Sequence, residues 1–345
     1  MLSTRALPGV RPEARVWIRY RQRRGHYPDG TPFTLRVPEY VITDLGYGPL
    51  APHTLIEPRL APSLYGVGLL EEVPVKEIVD PPPVSMPAAS SFGTFAIRWR
   101  AGRTRVGRFG WQGTSVSVRD QTTKALERDM GVTSLEYPAK DCTSAELACR
   151  SYFAGGTPEI ASRLVDALVA YERSLPRPQA RASVDLAPPD PTFMRLGCAA
   201  CHRPRLPVVV ACGRGSPRRS WVAPYSDLRL HFLGTALDDR DAAGRPAFTR
   251  LRTAPLWNLG HLRVTGQTPT LLHDGRARSI EEAILWHAGE ARAARRRFLR
   301  LPRAERRPLL KWLAGLGAPE HRTKEERAPP ENPGLDAPTG CAGHR

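Results

Sequence analysis

The run Cys198-Ala199-Ala200-Cys201-His202 limits what this chain can fold around more than any other stretch. Two thiols separated by two residues span the distance between the two vinyl groups of a haem. An imidazole directly after the second thiol then has the iron to face. The motif therefore reads as a covalently attached haem c with His202 as the fifth iron ligand. A CxxC pair also has zinc-knuckle spacing, but a zinc site needs two further ligands, and only Cys212 lies nearby. A haem asks the rest of the chain for cationic partners to its propionates and for at most one more axial ligand.

At 345 residues the chain is long enough for a substantial core and for two domains. Its hydrophobic content of 41% excludes disorder throughout. The formal charge of +17 comes mostly from arginines that are scattered along the chain, with no nucleic-acid motif beside them. Compositional bias toward Arg, Pro and Ala explains the charge most simply; attraction to acidic electron-transfer partners is the next reading. No run approaches the ~20 apolar residues that cross a bilayer. The opening MLSTRALPGVRPEARV lacks the apolar core of a secretory signal. Haem is attached to CxxCH outside the cytoplasm, so the expectation is a periplasmic or envelope protein whose true start is missing.

Residues 14–45 read as extended: Val16, Ile18 and Tyr20 alternate with polar neighbours, and Asp29-Gly30 marks a turn. Residues 46–94, rich in Pro and Gly, predict packed loops and short helices, with a break at 81–83. RVGRFGW at 105–111 reads as a compact turn, and 118–130 as a helix stopped by Gly131. Cys142 and Cys149 have the spacing of a small disulfide loop or of two free thiols. A helix is expected from Pro158 to about Ser174, with Ile160, Leu164, Leu168, Tyr171 and Leu175 on its apolar face. Residues 176–191 read as a linker. Ser279 and Glu282 form a capping box, after which Ala283, Ile284, His287 and Ala291 share one face of a helix. A last helix is expected over roughly 304–316, limited at its start by Pro308. Beyond Gly317 the chain reads as a disordered tail, in which CAGH at 341–344 is a chance likeness to a haem motif.

Among the candidates for the second axial position, His287 stands on an apolar helix face with the small Ala283 one turn before it. His231 ends a short segment that can line the pocket, and His273 sits in the tight Asp274-Gly275 turn. Met130 and Met194 are thioether alternatives. Arg252, Arg276 and Arg278 flank the pocket-forming segments and suit haem propionates, which a guanidinium grips as a fork.

The segments YSDLRLH, RTAPLWNLG and LLHDGRARSIEEAILWHAGEA, with DGTPFTLRVPEYVITDLGYGPLAP, GRFGWQG and the DMGVTS run before them, resemble the di-haem oxidoreductases. These are often labelled thiol oxidoreductases and are related to bacterial di-haem cytochrome c peroxidases. The resemblance covers nearly all of residues 10–316. It implies a mainly α fold of two cytochrome c-like domains, each with one haem c, plus a short β-hairpin region near the N-terminus. On that scheme residues 1–175 form a partial N-terminal domain, 176–191 the linker, 192–317 the C-terminal haem domain and 318–345 the tail. It also implies that the sixth ligand comes from the helix after the HDG turn, where His287 stands, and that Trp111 matches an aromatic between the two haems. The family's other CxxCH is absent from this chain, so the second haem is implied without its motif.

Three functions are open on this reading. In a peroxidase-type enzyme, peroxide reaches the face opposite His202, and Glu290 or His273 moves protons as the O–O bond breaks. In a pure electron-transfer module, His202 and His287 close both faces, and the partners are small redox proteins or another haem domain. The third reading is a haem-free remnant holding a Cys-ligated zinc. The label of thiol oxidoreductase has no support in the residues, because haem attachment consumes both sulfurs of the one CxxC.

Overall fold

A computed structural model of the chain describes residues 2–81, 93–100, 102–152, 155–175, 188–210, 216–260 and 270–317. Most of the linker expected at 176–191, the tail from 318, and Cys212 lie outside these residues.

The alternating run near the N-terminus forms a long hairpin, β1 (Arg15–His26) and β2 (Pro32–Thr43), in register from Arg15 opposite Thr43 to His26 opposite Pro32. Its turn closes where Asp29-Gly30 predicts it: Gly30 has φ 80°, and the Asp29 carboxylate accepts the Thr31 N–H at 3.0 Å. β1 is exposed along nearly its whole length, whereas β2 and the turn sink Leu35 and Tyr27 into the core.

Short elements follow, as the Pro/Gly-rich composition implies: β3 (Leu55–Ile56), α1 (Val67–Glu71) and α2 (Val75–Val79). A second hairpin, β4 (Ala96–Arg100) with β5 (Arg103–Gly107), then leads into α3 (Val118–Met130). Ser117 caps α3 by accepting the Asp120 N–H at 3.0 Å, and Gly131 ends it in the left-handed region. α4 (Leu147–Ser151) and α5 (Ser162–Ser174) complete this half. The α5 helix starts four residues later than its sequence predicts, and it buries a different face. Leu164, Leu168 and Tyr171 are exposed, while Val165 and Val169 pack beside Leu70 and Leu126. The two stripes lie one residue apart, about 100° round the helix, so periodicity alone favours the larger leucines over the pair that the core uses.

In the second half, α6 (Pro191–Leu196) is capped by Asp190 and passes through the left-handed Gly197 into a 3-10 turn at Cys198–Ala200. β6 (Leu206–Val210) pairs with β7 (Arg218–Val222), β8 (Leu230–Phe232) with β10 (Arg250–Arg252), and β9 (Arg240–Asp241) with β3. Three helices close the described chain: α7 (Ile280–Trp286), α8 (Arg292–Arg300) and α9 (Arg303–Leu313). The single helix expected through Ala291 is broken. α7 stops at Trp286, His287 is its C-cap, and Gly289 at φ 50° turns the chain hard against the Phe232 carbonyl, where any Cβ would collide. α9 begins five residues ahead of Pro308 and runs through it, because burial of Leu309 and Leu313 outweighs the one helical bond that proline forfeits.

The mainly α, cytochrome c-like fold is therefore corrected. The described residues are 30% helical and 22% strand, and the named strands form five two-stranded antiparallel sheets. The β6–β7 hairpin shows why strands are hard to foresee here: β6 is an uninterrupted apolar run with Leu206 and Val208 buried, and its partner opens with Arg218 and Arg219 and is exposed up to Val222, so neither strand alternates cleanly. Two hydrophobic clusters hold the molecule together. One gathers Phe193, Leu196, Leu285, Phe298 and Leu309 around Tyr27 and Leu35. The other joins Leu70, Ile78 and Val165 to Leu206, Leu228 and Trp257. Each draws on both halves of the sequence, and members of both line one cavity. No helix among the described residues is long and apolar enough to cross a membrane.

Candidate functional site

The CxxCH run sits at the end of α6, where the chain tightens. The Cys201 and His202 amides both donate to the Cys198 carbonyl, at 3.4 and 2.9 Å. Both cysteines and the imidazole thereby line a cavity of about 550 Å³, within the range of pockets that take a cofactor-sized ligand. Burial, reinforced by the neighbouring Cys201, pushes the Cys198 thiol up to about 12. A thiol held protonated in this way is the opposite of an activated dithiol centre.

Across the cavity stands His287. Its ring centroid lies 6.4 Å from that of His202, with the planes 51° apart. Each imidazole is tied by Nδ1 to a main-chain carbonyl, His202 to Tyr225 at 2.9 Å and His287 to Ala283 at 2.7 Å. A carbonyl only accepts, so each Nδ1 carries the proton and each Nε2 keeps a free lone pair. Burial lowers both basicities, His202 to about 4, so both rings are neutral at physiological pH. Neutral imidazole with Nδ1–H pinned and Nε2 open is the metal-binding tautomer. The spacing suits an ion between them: two metal–imidazole bonds of about 2 Å plus the near half of each ring add to roughly 6 Å. The Tyr225 carbonyl reaches His202 from a backbone at φ 53°, a strained conformation for a tyrosine.

Of the three arginines expected to meet propionates, Arg252 lines the cavity. Its Nε donates to the Gly110 carbonyl at 2.9 Å, while Nη1 is buried with no partner, an orphaned donor of the kind a ligand carboxylate satisfies. Arg276 and Arg278 do not line the cavity. Arg276 is paired with Asp274 at 2.7 Å and Arg278 with Glu282 at 2.8 Å, where they fix the turn and the start of α7. Ser279 caps α7 as its sequence predicts, but Glu282 turns to Arg278 and the Arg36 amide instead of closing the capping box.

His273 also lines the cavity, buried and lowered to about 4 by desolvation, with its Nδ1 unpartnered. Leu272 before it adopts φ 70°. Trp111 packs edge-on against His273 at 6.3 Å and donates to the Leu60 carbonyl at 2.6 Å. Met130 is exposed, and Met194 packs against the first core.

One cluster is not foreseen as a cluster: the sequence places His231 near the pocket and offers Glu290 as a proton-moving group, but nothing in it joins them to each other or to Asp227. His231 is bracketed by carboxylates, Asp227 on Nε2 and Glu290 on Nδ1, both at 2.8 Å, and the Cys201 sulfur lies 3.6 Å from Nδ1. Two carboxylates on opposite ring nitrogens require both nitrogens to be protonated. Burial opposes that charge, yet Asp227, Cys201 and Glu290 together raise His231 to about 12. Cys201, Asp227 and His231 come close enough to suggest a metal site. Their donor atoms lie within 4.8 Å of one another, but both His231 nitrogens are already engaged, one by Asp227 and the other by Glu290. The only linear signal for the cluster is the four-residue spacing of Asp227 and His231; Glu290 joins from 59 residues away.

Residues 55–316, a span holding His202, His287 and both cysteines of the cavity, match the family described as di-haem oxidoreductase, putative peroxidase. No curated protein and no solved structure matches the chain.

Proposed function

The chain belongs to the di-haem oxidoreductase family, and from that premise we propose that it is a c-type haem redox protein with one haem held by Cys198 and Cys201. A haem bound there supplies one-electron chemistry at its iron. The observation that carries the proposal is the facing pair His202 and His287, two buried neutral imidazoles with their Nε2 lone pairs free. His202 and His287 are the iron ligands on this reading, and the orphaned Nη1 of Arg252 holds a propionate. Trp111 and walls from both cores would line the space around the haem.

Were His202 and His287 both to hold the iron, no site there would be left for peroxide, which favours electron transfer as the resting function. Peroxide reduction would need His287 to give up that role. His273, neutral and unpartnered at Nδ1, is then the residue able to pass a proton. Glu290 is a poorer candidate, since its carboxylate is already committed to His231, the Phe232 amide and Arg250. The second haem that the family name implies would come from outside the residues with a CxxCH, and the electron donor is a small redox protein or that haem domain. An extracytoplasmic location is supported by the Cys142–Cys149 disulfide. A zinc-holding remnant is disfavoured because both nitrogens of His231, the histidine beside Cys201, are taken by Asp227 and Glu290.

Reduced-minus-oxidised spectra of the holoprotein, with and without peroxide, test this. A six-coordinate low-spin haem slow toward peroxide is expected. A five-coordinate haem reacting at once would replace electron transfer by peroxidase activity, and absence of a haem spectrum would refute both.

A further inference from the structure

His287 lies in no regular element. It caps α7, its ring held by Nδ1 to the Ala283 carbonyl, and opens the turn 287–291 before α8 begins, so its place in the cavity also depends on how that turn is anchored. The turn is held at one place. Gly289 and Gly234 meet with no room for a side chain on either, which brings the turn onto the chain leaving β8. Glu290 then reaches back across that contact: one oxygen accepts the Phe232 amide at 3.1 Å, the other the Nδ1–H of His231 at 2.8 Å. His231 is in turn fixed from behind by Asp227 at 2.8 Å, and Gly93 packs so tightly on its ring that a Cβ there would clash. The same ring lies 3.6 Å from the sulfur of Cys201.

We propose that Asp227, His231 and Glu290 form a charged clamp that positions the 287–291 turn, and through it His287, opposite His202. The clamp ties the residue that offers the second axial ligand to the cysteine beside the first, so loosening it frees one face of the iron while haem attachment persists. These are positioning residues; none of them touches the iron. The carboxylate is needed on two counts. Its two oxygens satisfy three donors, the Phe232 amide and Arg250 on one and His231 on the other, and its charge helps to balance a buried imidazolium, which is costly to leave half-paired. Glutamine has one oxygen for these donors and no charge, so it supplies only part of the clamp.

The inference rests on the haem reading above, and two readouts separate its failure from that of the reading. The first needs no haem: hydrogen exchange of the 287–291 amides, measured against those of α9. Glu290→Ala is expected to speed exchange in the turn by about tenfold or more, and Glu290→Gln by less, with α9 unchanged. The second is the spin state of the holoprotein and its rate of cyanide binding. Both variants should keep covalent haem, gain a high-spin fraction and bind cyanide about tenfold faster. Arg119→Ala, which breaks the distant network with Glu136 and Asp166, controls for general destabilisation and should move neither readout. Should Glu290→Ala fail to fold, Glu290→Gln carries the test. Wild-type exchange in the turn overturns the clamp whatever the cofactor. Wild-type spin state and cyanide rate in a haem-loaded variant overturn its link to His287.

Discussion

His202 and His287 face each other with ring centroids 6.4 Å apart, and each gives its Nδ1 proton to a main-chain carbonyl. That pairing leaves two Nε2 lone pairs free on residues lining the cavity. If His287 completes the coordination, His287→Gly should retain covalent haem but turn the ferric spectrum from low-spin to high-spin. Added imidazole should restore the low-spin form. Absorption spectra with an imidazole titration check this, and an unchanged low-spin spectrum would assign the sixth position to another residue.

Arg252 is wholly buried, and desolvation lowers its basicity to about 10, so it remains charged at neutral pH with one nitrogen unpartnered. A carboxylate meeting that nitrogen contributes about 1.5–3 kcal/mol as a charge-assisted hydrogen bond. Arg252→Gln should therefore reduce the stability gained on haem attachment by that amount. The gain is read from melting of the holoprotein against apoprotein of the same variant. An equal loss in both forms would mean that Arg252 serves packing alone.

The buried His273 gives the apoprotein a defined acid sensitivity. Its folded-state value of about 4 lies below the ordinary 6.5, so the unfolded chain binds the proton more readily. Its neutral form thus adds stability that is complete above pH 6.5 and lost as pH falls toward 4, about 3 kcal/mol in all. His273→Asn, which does not titrate, should show a shallower decline in urea midpoint between pH 6.5 and 4. Parallel profiles for the two proteins would refute it.

What the sequence reveals and what it hides follow from range. CxxCH, the Asp29-Gly30 turn and the Ser117-to-Gly131 helix are legible because each is determined by neighbours within a few residues. His287 is legible because a histidine on an apolar face stands out, although the break in the helix beneath it does not; that break depends on Phe232, 57 positions before Gly289 (289 − 232). Asp227, His231 and Glu290 are unremarkable apart until the 287–291 turn packs against β8. The strand content is hidden for another reason, since β5 and β7 are exposed over most of their length and carry arginines without an in-out alternation.

Cys142 and Cys149 are joined, closing a small loop around the approach to α4. Chain entropy assigns such a loop about 2 kcal/mol. The Cys142→Ser, Cys149→Ser double variant should melt earlier by that amount, with haem content and spin state unaltered, because the loop lies outside the residues lining the cavity. A loss of haem in this variant would tie the loop to the site.

The most direct measurement is the intact mass of the full chain, exported in a host competent to attach haem to CxxCH, together with a haem stain of a denaturing gel. The account predicts the polypeptide mass plus one haem and a stained band, both abolished by the Cys198→Ala, Cys201→Ala double variant. A colourless protein with the bare polypeptide mass would contradict it.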